Sequence, residues 1–472
     1  MVSSGSMVHR MRRTLKTKMS DTMKGDVVIV GGSVMGTSIA LHLAMNLLGT
    51  STRKLDTKIF VIERDRSYKA SSAMLSAGGI RQQFSLPENI KMSMYGAEFL
   101  KNIKSLAVPD DTEVPDVQFH ENGYLFLADK KNAAVLARNN QIQKECGATW
   151  LDLFDKPQLE EKFPWLNTEG IALGSFSSQN EGYFDPWSYL NIMKKRAIYH
   201  GVQFIDGNVI GSDVFTPSPL VSSSCRIRSL TVQMANGSIK HIHGESFVNA
   251  AGAWAGKFVD MLAAQASRMV KKDDDISMVP TLLDVPPVAR LPVQSRKRCI
   301  FQVHCPGLVQ NSRGLSIPPT NTPLVVDPSG VYFRPEGGNG RFIIGVSPKE
   351  ENDKECSDKE LEQVDHELFE EVIWPTICER VPAFEELKVQ SSWAGFYEYN
   401  TVDQNAIIGF HTEVKNLILC NGFSGHGLQQ SPAAGRAVTE LLVYGKYTTI
   451  DLSRFSFQRI VNSTPILETG IV

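Results

Sequence analysis

The chain has 472 residues, 42% hydrophobic and 21% charged, which is too long for one core and ordinary for a globular enzyme of two or three domains. A formal net charge of −2 argues against a nucleic-acid partner, and no run approaches the roughly 18 consecutive apolar residues of a transmembrane segment. The seven cysteines are odd in number, irregularly spaced and without a CxxC pair, which argues against a disulfide framework or a zinc site and for a reducing compartment.

The chain opens on a basic segment. Arg10, Arg12, Arg13, Lys16, Lys18 and Lys24 stand against Asp21 alone, a charge of 6 − 1 = +5, among serines and threonines. Residues 1–25 therefore read as a mitochondrial presequence, which puts the protein in the mitochondrial matrix, free or peripheral to the inner membrane. A solvated basic tail is the alternative.

Next comes an apolar run, Asp26–Val30, that stops at Gly31-Gly32. A helical pattern through Val34, Ile39, Leu43 and Leu47 follows, then a second apolar run, Lys58–Ile62, that ends in Glu63. Strand, glycine turn, helix and strand make a βαβ unit. In the dinucleotide fingerprint GxGxxG, the glycines permit a tight turn, close approach to pyrophosphate and close helix–strand packing. Here those positions hold Gly31, Ser33 and Gly36, so the middle glycine is missing, and an ordinary glycine turn is the competing reading. Glu63 lies 27 residues after Gly36 and suits the ribose hydroxyls of a non-phosphorylated dinucleotide, FAD or NAD.

Short alternating segments such as Gly123–Leu127 and Arg341–Ile344 recur between 113 and 177 and between 286 and 391, and predict an antiparallel sheet. The run Phe247–Asn249, closing on Ala250-Ala251-Gly252, belongs back with the first domain. The expected architecture is α/β plus α+β. A Rossmann-type FAD-binding domain takes 26–112, 178–285 and 392–455, and a discontinuous antiparallel-sheet substrate domain takes 113–177 and 286–391. His241 and His243 on a probable strand lack an acidic third ligand, so no metal is expected.

The far end of the chain favours FAD. Asn421–Pro432 packs small residues before a helix, with Ser431 as N-cap, Pro432 at the first helical position and Gly445 as the stop. Backbone N–H groups and a positive helix end stabilise the negative charge of a reduced flavin, whereas nicotinamide gains none. A plain glycine-rich loop before an amphipathic helix is the alternative.

Gly31–Gly36, Glu63, Val248–Trp254, Trp393–Tyr397 with Asp403, and Gly422–Gly427, in this order, resemble the D-amino-acid oxidase and sarcosine oxidase/dehydrogenase superfamily. The strings Gly78–Asn89, Lys162–Gly170, Asp185–Trp187, Asp403–Asn405 and Gly422–Gln430 are similar to a mitochondrial branch of it that serves the assembly of respiratory complex I (NADH dehydrogenase). The resemblance implies a D-amino-acid-oxidase-like fold and a non-covalent FAD held by Gly31, Gly32, Ser33, Val34, Gly36, Glu63, Arg64, Ser71, Ser72, Gly78, Gly79, Ala251, Gly252, Trp254, Gly422, Ser424, Gly425, His426 and Gly427.

It also implies a catalytic set. Arg81 falls where relatives grip the substrate carboxylate, with a structural salt bridge as the other reading. Tyr397 falls over the substrate side of the flavin, with core packing as the other reading. Gln429 replaces a second, lysine carboxylate anchor. Gly395 and Leu75 occupy places where covalent relatives carry a cysteine or a histidine. Ile343 stands where oxidases place an oxygen-activating lysine, which favours a dehydrogenase. Two functions are implied. One is complex I assembly, with complex I subunits or assembly intermediates as partners and FAD mainly structural. The other is oxidation of a small amine or amino acid by hydride transfer to FAD.

Overall fold

The computed structural model describes residues 22–48, 56–109, 111, 113–215, 224–272, 289–307 and 309–469. The expected leader therefore lies outside the described residues up to position 21. Its last stretch does not: Thr22–Lys24 form a strand parallel to Ile239–His243, and Gly25 N donates to His243 O at 3.0 Å. These residues are part of a sheet edge, a correction to a leader running through residue 25.

Among the described residues, nine strands make the first sheet. Their order is Thr22–Lys24, Ile239–His243, Arg226–Met234, Gln203–Phe215, Ile59–Glu63, Val27–Val30, Ser246–Asn249, Leu417–Asn421 and Ile407–Phe410. Val27–Val30 lies at its centre, with Val28 opposite Phe60 on one side and Phe247 on the other, both parallel. A strand with parallel neighbours and covered faces has no solvent side, so it reads as an unbroken apolar run.

Helix Val34–Leu48 packs against helix Gly427–Tyr444 closely enough that a Cβ on Gly435 would lie 2.3 Å from Ser38 Oγ. The second helix corrects an expectation. It begins at Gly427, not after Ser431, and Pro432 lies inside it. Proline has no N–H for the Leu428 carbonyl four residues back. The Ser431 hydroxyl takes that place and donates to Leu428 O at 2.9 Å. The helix stops as expected at Gly445, at φ 70°.

The second sheet has eight strands, ordered Lys388–Asn400, Val293–His304, Arg341–Gly345, Tyr332–Pro335, Leu324–Val326, Tyr124–Asp129, Ile171–Ser177 and Asp152–Phe154. Side chains alternate across it. Cys299, Phe301 and Val303 enter a core with Trp165, Phe333, Phe342 and Phe384, while Arg298 and Ile300 face a cavity between the sheets. Lys388–Asn400 pairs with Val293–His304 from end to end, so a domain boundary at 392 falls in mid-strand. The chain rejoins the first sheet only with Ile407–Phe410. No described helix is long and apolar enough to cross a membrane.

Candidate functional site

A cavity of about 560 Å³ runs from the turn after Val27–Val30 to the start of helix Gly427–Tyr444. At the first end the backbone must be glycine: Gly31 has φ 100°, and a Cβ there would meet Ala250 O at 2.2 Å. Gly31, Ser33, Val34, Glu63, Arg64, Ser71, Ser72, Gly78, Gly79, Ala251, Gly252 and Trp254 all line the cavity, as do Gly425, His426 and Gly427 at the helix start. The Ser33 and Ser71 hydroxyls are 2.6 Å apart. Arg64 stacks on Trp254 at 3.7 Å.

Four expected cofactor residues do not line it. Gly36 instead packs the helix on the strand, since a Cβ would fall 1.8 Å from Gly31 O. Gly32 donates its N–H to Glu63 Oε2 at 2.8 Å. Glu63 also accepts from Asp65 N at 2.9 Å, so its carboxylate braces the glycine turn as well as facing the cavity. Gly422 and Ser424 sit behind the second loop. Ser424, at φ 45°, accepts the Asn400 N–H on its hydroxyl at 3.0 Å. For Gly32, Gly422 and Ser424 the reason is common: a tight turn exposes some of its residues to ligand and uses the others to hold its own shape.

Arg81, Tyr397 and Gln429 come together at the other end. Arg81 follows the short strand Gly79–Ile80, and its N–H donates to Gln429 Oε1 at 2.8 Å. The Oε1 of Gln429 thus helps to position Arg81, and its Nε2 is the end that can donate to a carboxylate. The guanidinium lies 4.8 Å from the Phe84 ring, 5.1 Å from Phe126 and 5.8 Å from Tyr124. Its Nη2 reaches His426 Nε2 at 3.3 Å. Arginine only donates, so this histidine nitrogen accepts and the ring is neutral. Burial, with Arg81 adding to it, holds His426 down to about 3.

Arg81 is buried, its Nε has no partner, and no carboxylate forms an ion pair with it among the described residues. Glu181 lies behind it, accepting from Gln82 N at 2.6 Å and Gln83 Nε2 at 2.8 Å. Burial pushes Glu181 up to about 8, so at neutral pH it is largely protonated and does not neutralise Arg81. A structural salt bridge is therefore not what holds Arg81. Tyr397 donates its hydroxyl to Ser424 O and packs on Gly425, where a Cβ would lie 2.4 Å from its ring.

Sequence reasoning missed Arg298 and Glu398. Ile343 is buried in its strand and does not line the cavity. Arg298, on the strand that lies between those of Ile343 and Tyr397, does line it, 4.3 Å over the Tyr397 ring and in a two-pronged pair with Asp353 at 2.7 and 2.8 Å. A cation, paired with Asp353, thus faces the site from the strand beside that of Ile343. Glu398 lines the cavity between Tyr397 and Tyr399. The available signal was a charge in each of two apolar strand patterns, Arg298 before Cys-Ile-Phe and Glu398 within Phe-Tyr-Glu-Tyr. Among the described residues no group of His, Cys, Asp and Glu is placed to hold a metal.

A glycine turn that a Cβ would fill, an acid beside it, a second glycine loop at a helix start and an elongated cavity joining them fit FAD. The chain belongs to the FAD dependent oxidoreductase family, whose profile matches residues 26–441, and FAD is its cofactor. Within that family it is similar to FAD-dependent oxidoreductase domain-containing protein 1. The Xenopus laevis protein is 44% identical over 95% of this chain and 85% of its own length, and that of Bos taurus 42% over 92% and 85%. The structure of L-proline dehydrogenase from P. horikoshii superposes with a TM-score of 0.72, covering 94% of this chain and 100% of that one at 22% identity, a likeness of fold.

Proposed function

We propose that this chain oxidises the C–N bond of a small carboxylate-bearing amine or amino acid, with a hydride passing to FAD. The observation that carries the reading is Arg81: a buried guanidinium without a carboxylate partner, facing the cavity and held by Gln429. A buried cation of this kind suits a two-pronged carboxylate partner. Phe84, Phe126 and Tyr124 surround it and keep water from the pair, which strengthens the attraction. Neutral His426 accepts from Arg81 and adds no competing charge. Tyr397, locked on the Ser424–Gly425 turn, forms a rigid wall. When bound, FAD supplies the two-electron acceptor.

The test is anaerobic titration of the purified yellow protein with secondary amino acids, following the loss of flavin absorbance. Bleaching by a carboxylate-bearing amine and none by the matching amide is expected. Arg81→Ala should weaken binding of that substrate by about 2–5 kcal/mol, at least roughly 30-fold, with FAD still bound. Equal reduction of wild type and Arg81→Ala would overturn the reading.

A second reading is assembly of respiratory complex I in the mitochondrial matrix, with FAD mainly structural. The basic segment, five Arg and Lys against Asp21 over residues 1–21 (5 − 1 = +4), supports the compartment, and a neutral Gln429 in the place where sarcosine-oxidising relatives carry a lysine anchor supports weak catalysis. The readings separate in deficient cells by native-gel complex I levels. For a scaffold, Arg81→Ala restores the complex and Gly31→Val, which blocks the glycine turn, does not. For an enzyme whose product is needed, both fail. A reporter fused to residues 1–21 that stays in the cytosol would remove the basic segment as the support for the compartment.

A further inference from the structure

Glu398 has no place in the chemistry above, yet it faces the cavity that fits FAD. It is the next residue along the strand from Tyr397 and so points from the opposite face, into the end of the cavity bounded by two glycines. A Cβ on Gly427, the first residue of helix Gly427–Tyr444, would lie 3.2 Å from Glu398 Oε1, and one on Gly252 4.0 Å from Oε2. Oε2 accepts the Gly422 N–H at 3.3 Å.

The charged and titratable groups around it come from four elements. Across the sheet pair its partner is Ser295, with Lys297 two residues on along the same face, its Nζ donating to Gln363 O at 3.0 Å, and Arg296 and Arg298 on the other face. The strand Leu417–Asn421 brings the Cys420 thiol, which burial and Glu398 push up. The helix after Trp254 brings Lys257 to the same cavity, and the loop before Gly427 brings His426. Tyr397 and Tyr399 flank it along its own strand. None of the cations pairs with Glu398 among the described residues. A carboxylate therefore occupies the positive helix start that is also the natural seat for the charge of a reduced flavin. Two negative charges there repel each other in a medium of low dielectric.

We propose that Glu398 is a redox-linked proton acceptor of the cofactor site, taking up a proton from solvent when the bound FAD accepts two electrons. In balance, two electrons and one proton convert FAD to its anionic reduced form, and one further proton converts the Glu398 carboxylate to the acid. Burial, opposed by the amides of Gly422 and Phe423, already pushes Glu398 up to about 7, so an added neighbouring charge moves it further in the same direction. By linkage the ionised carboxylate makes the site harder to reduce by the same factor. The inference rests on FAD occupying the cavity and not on the identity of any substrate.

The experiment measures the flavin midpoint potential of the holoprotein and of Glu398→Gln by dithionite titration against reference dyes from pH 6 to 9. At pH 8.5 and above the variant is expected to be easier to reduce, by about tenfold in the reduced-to-oxidised ratio, about 30 mV for a two-electron couple. The two potentials should converge towards pH 6, where wild-type Glu398 carries its proton in both states. Potentials that superimpose at every pH, or differ by the same amount at pH 6 and pH 9, would overturn the proposal. If the variant does not retain FAD, proton uptake by the wild type decides. More than one proton per two electrons at pH 8, with the reduced flavin anionic by its spectrum, supports it, and one proton only refutes it.

Discussion

Glu63 has two duties at once. Its carboxylate accepts the N–H groups of Gly32 and Asp65 and also faces the cavity, so it fixes the shape of the glycine turn and presents negative charge where a ribose would donate. A hydrogen bond to a charged acceptor is worth about 1.5–3 kcal/mol, more than a neutral one. Glu63→Gln keeps the shape and one acceptor oxygen but loses the charge. It is expected to weaken FAD binding by about 1–2 kcal/mol, read as the dissociation constant for FAD added back to apoprotein. An unchanged constant would mean that Glu63 acts on the turn alone. Arg81 and Glu181 show the same logic in reverse: the fold brings the distant Glu181 against Gln82 and Gln83 beside Arg81, but burial raises the acid towards its neutral form and leaves the arginine for a ligand.

At the scale of elements, helix Pro87–Lys101 continues the segment that carries Arg81, and it starts without a cap of its own. Leu86 stands at the N-cap, where it has no side chain able to accept. The cap comes from the far end of the chain. Glu468 accepts from Ser85 N at 2.6 Å, Leu86 N at 3.3 Å and Asn89 Nδ2 at 2.6 Å. Neighbouring residues of the tail are tied down as well: Thr469 O accepts from Asn139 Nδ2 at 2.7 Å and Ile466 O from Asn405 Nδ2 at 2.8 Å. Glu468→Ala takes the acceptor from Ser85 N and Leu86 N and one of the two acceptors from Asn89 Nδ2, and is expected to cost about 1–3 kcal/mol, measured by denaturant unfolding of the holoprotein. A change within a few tenths of a kcal/mol, roughly the scatter for an ordinary surface substitution, would show that solvent replaces the carboxylate.

For the whole molecule, the cavity exists because the two sheets meet. Gly395 comes from the eight-stranded sheet and Leu75 from the segment that leaves the first, and a Cβ on Gly395 would lie 2.9 Å from that of Leu75. Trp393 Nε1 donates to Leu75 O at 2.9 Å and ties the same two segments. The two places that the superfamily resemblance marks for a covalent flavin link are thus adjacent and hold no nucleophile. Acid precipitation of the holoprotein should leave the yellow flavin in the supernatant; flavin retained in the pellet would require a linkage elsewhere. The same meeting of sheets brings Arg81, His426 and Tyr397 to one end of the cavity from three separated stretches of chain.

Much of the fold was legible because it is written locally. Apolar run, glycine turn, helical pattern and terminal acid are consecutive in 26–63, and backbone sterics at Gly31 leave few alternatives. The return of Phe247–Asn249 to the same sheet was legible for the same reason: only a strand buried on both faces reads as an unbroken apolar run. The helix start was misplaced because Ser431-Pro432 is a sound N-terminal signal. Only the fold shows Ser431 turned inward to replace the N–H that Pro432 lacks. The boundary at 392 failed because Lys388–Asn400 carries family residues of the cofactor site on a strand of the other sheet. Arg81 and Gln429 were marked by resemblance, but their contact spans 348 positions, and no local pattern states that one holds the other. Arg298 and Glu398 were invisible for a related reason. A charge in a strand ordinarily means a solvent face, and whether that face meets water or a cofactor is decided by what packs across from it.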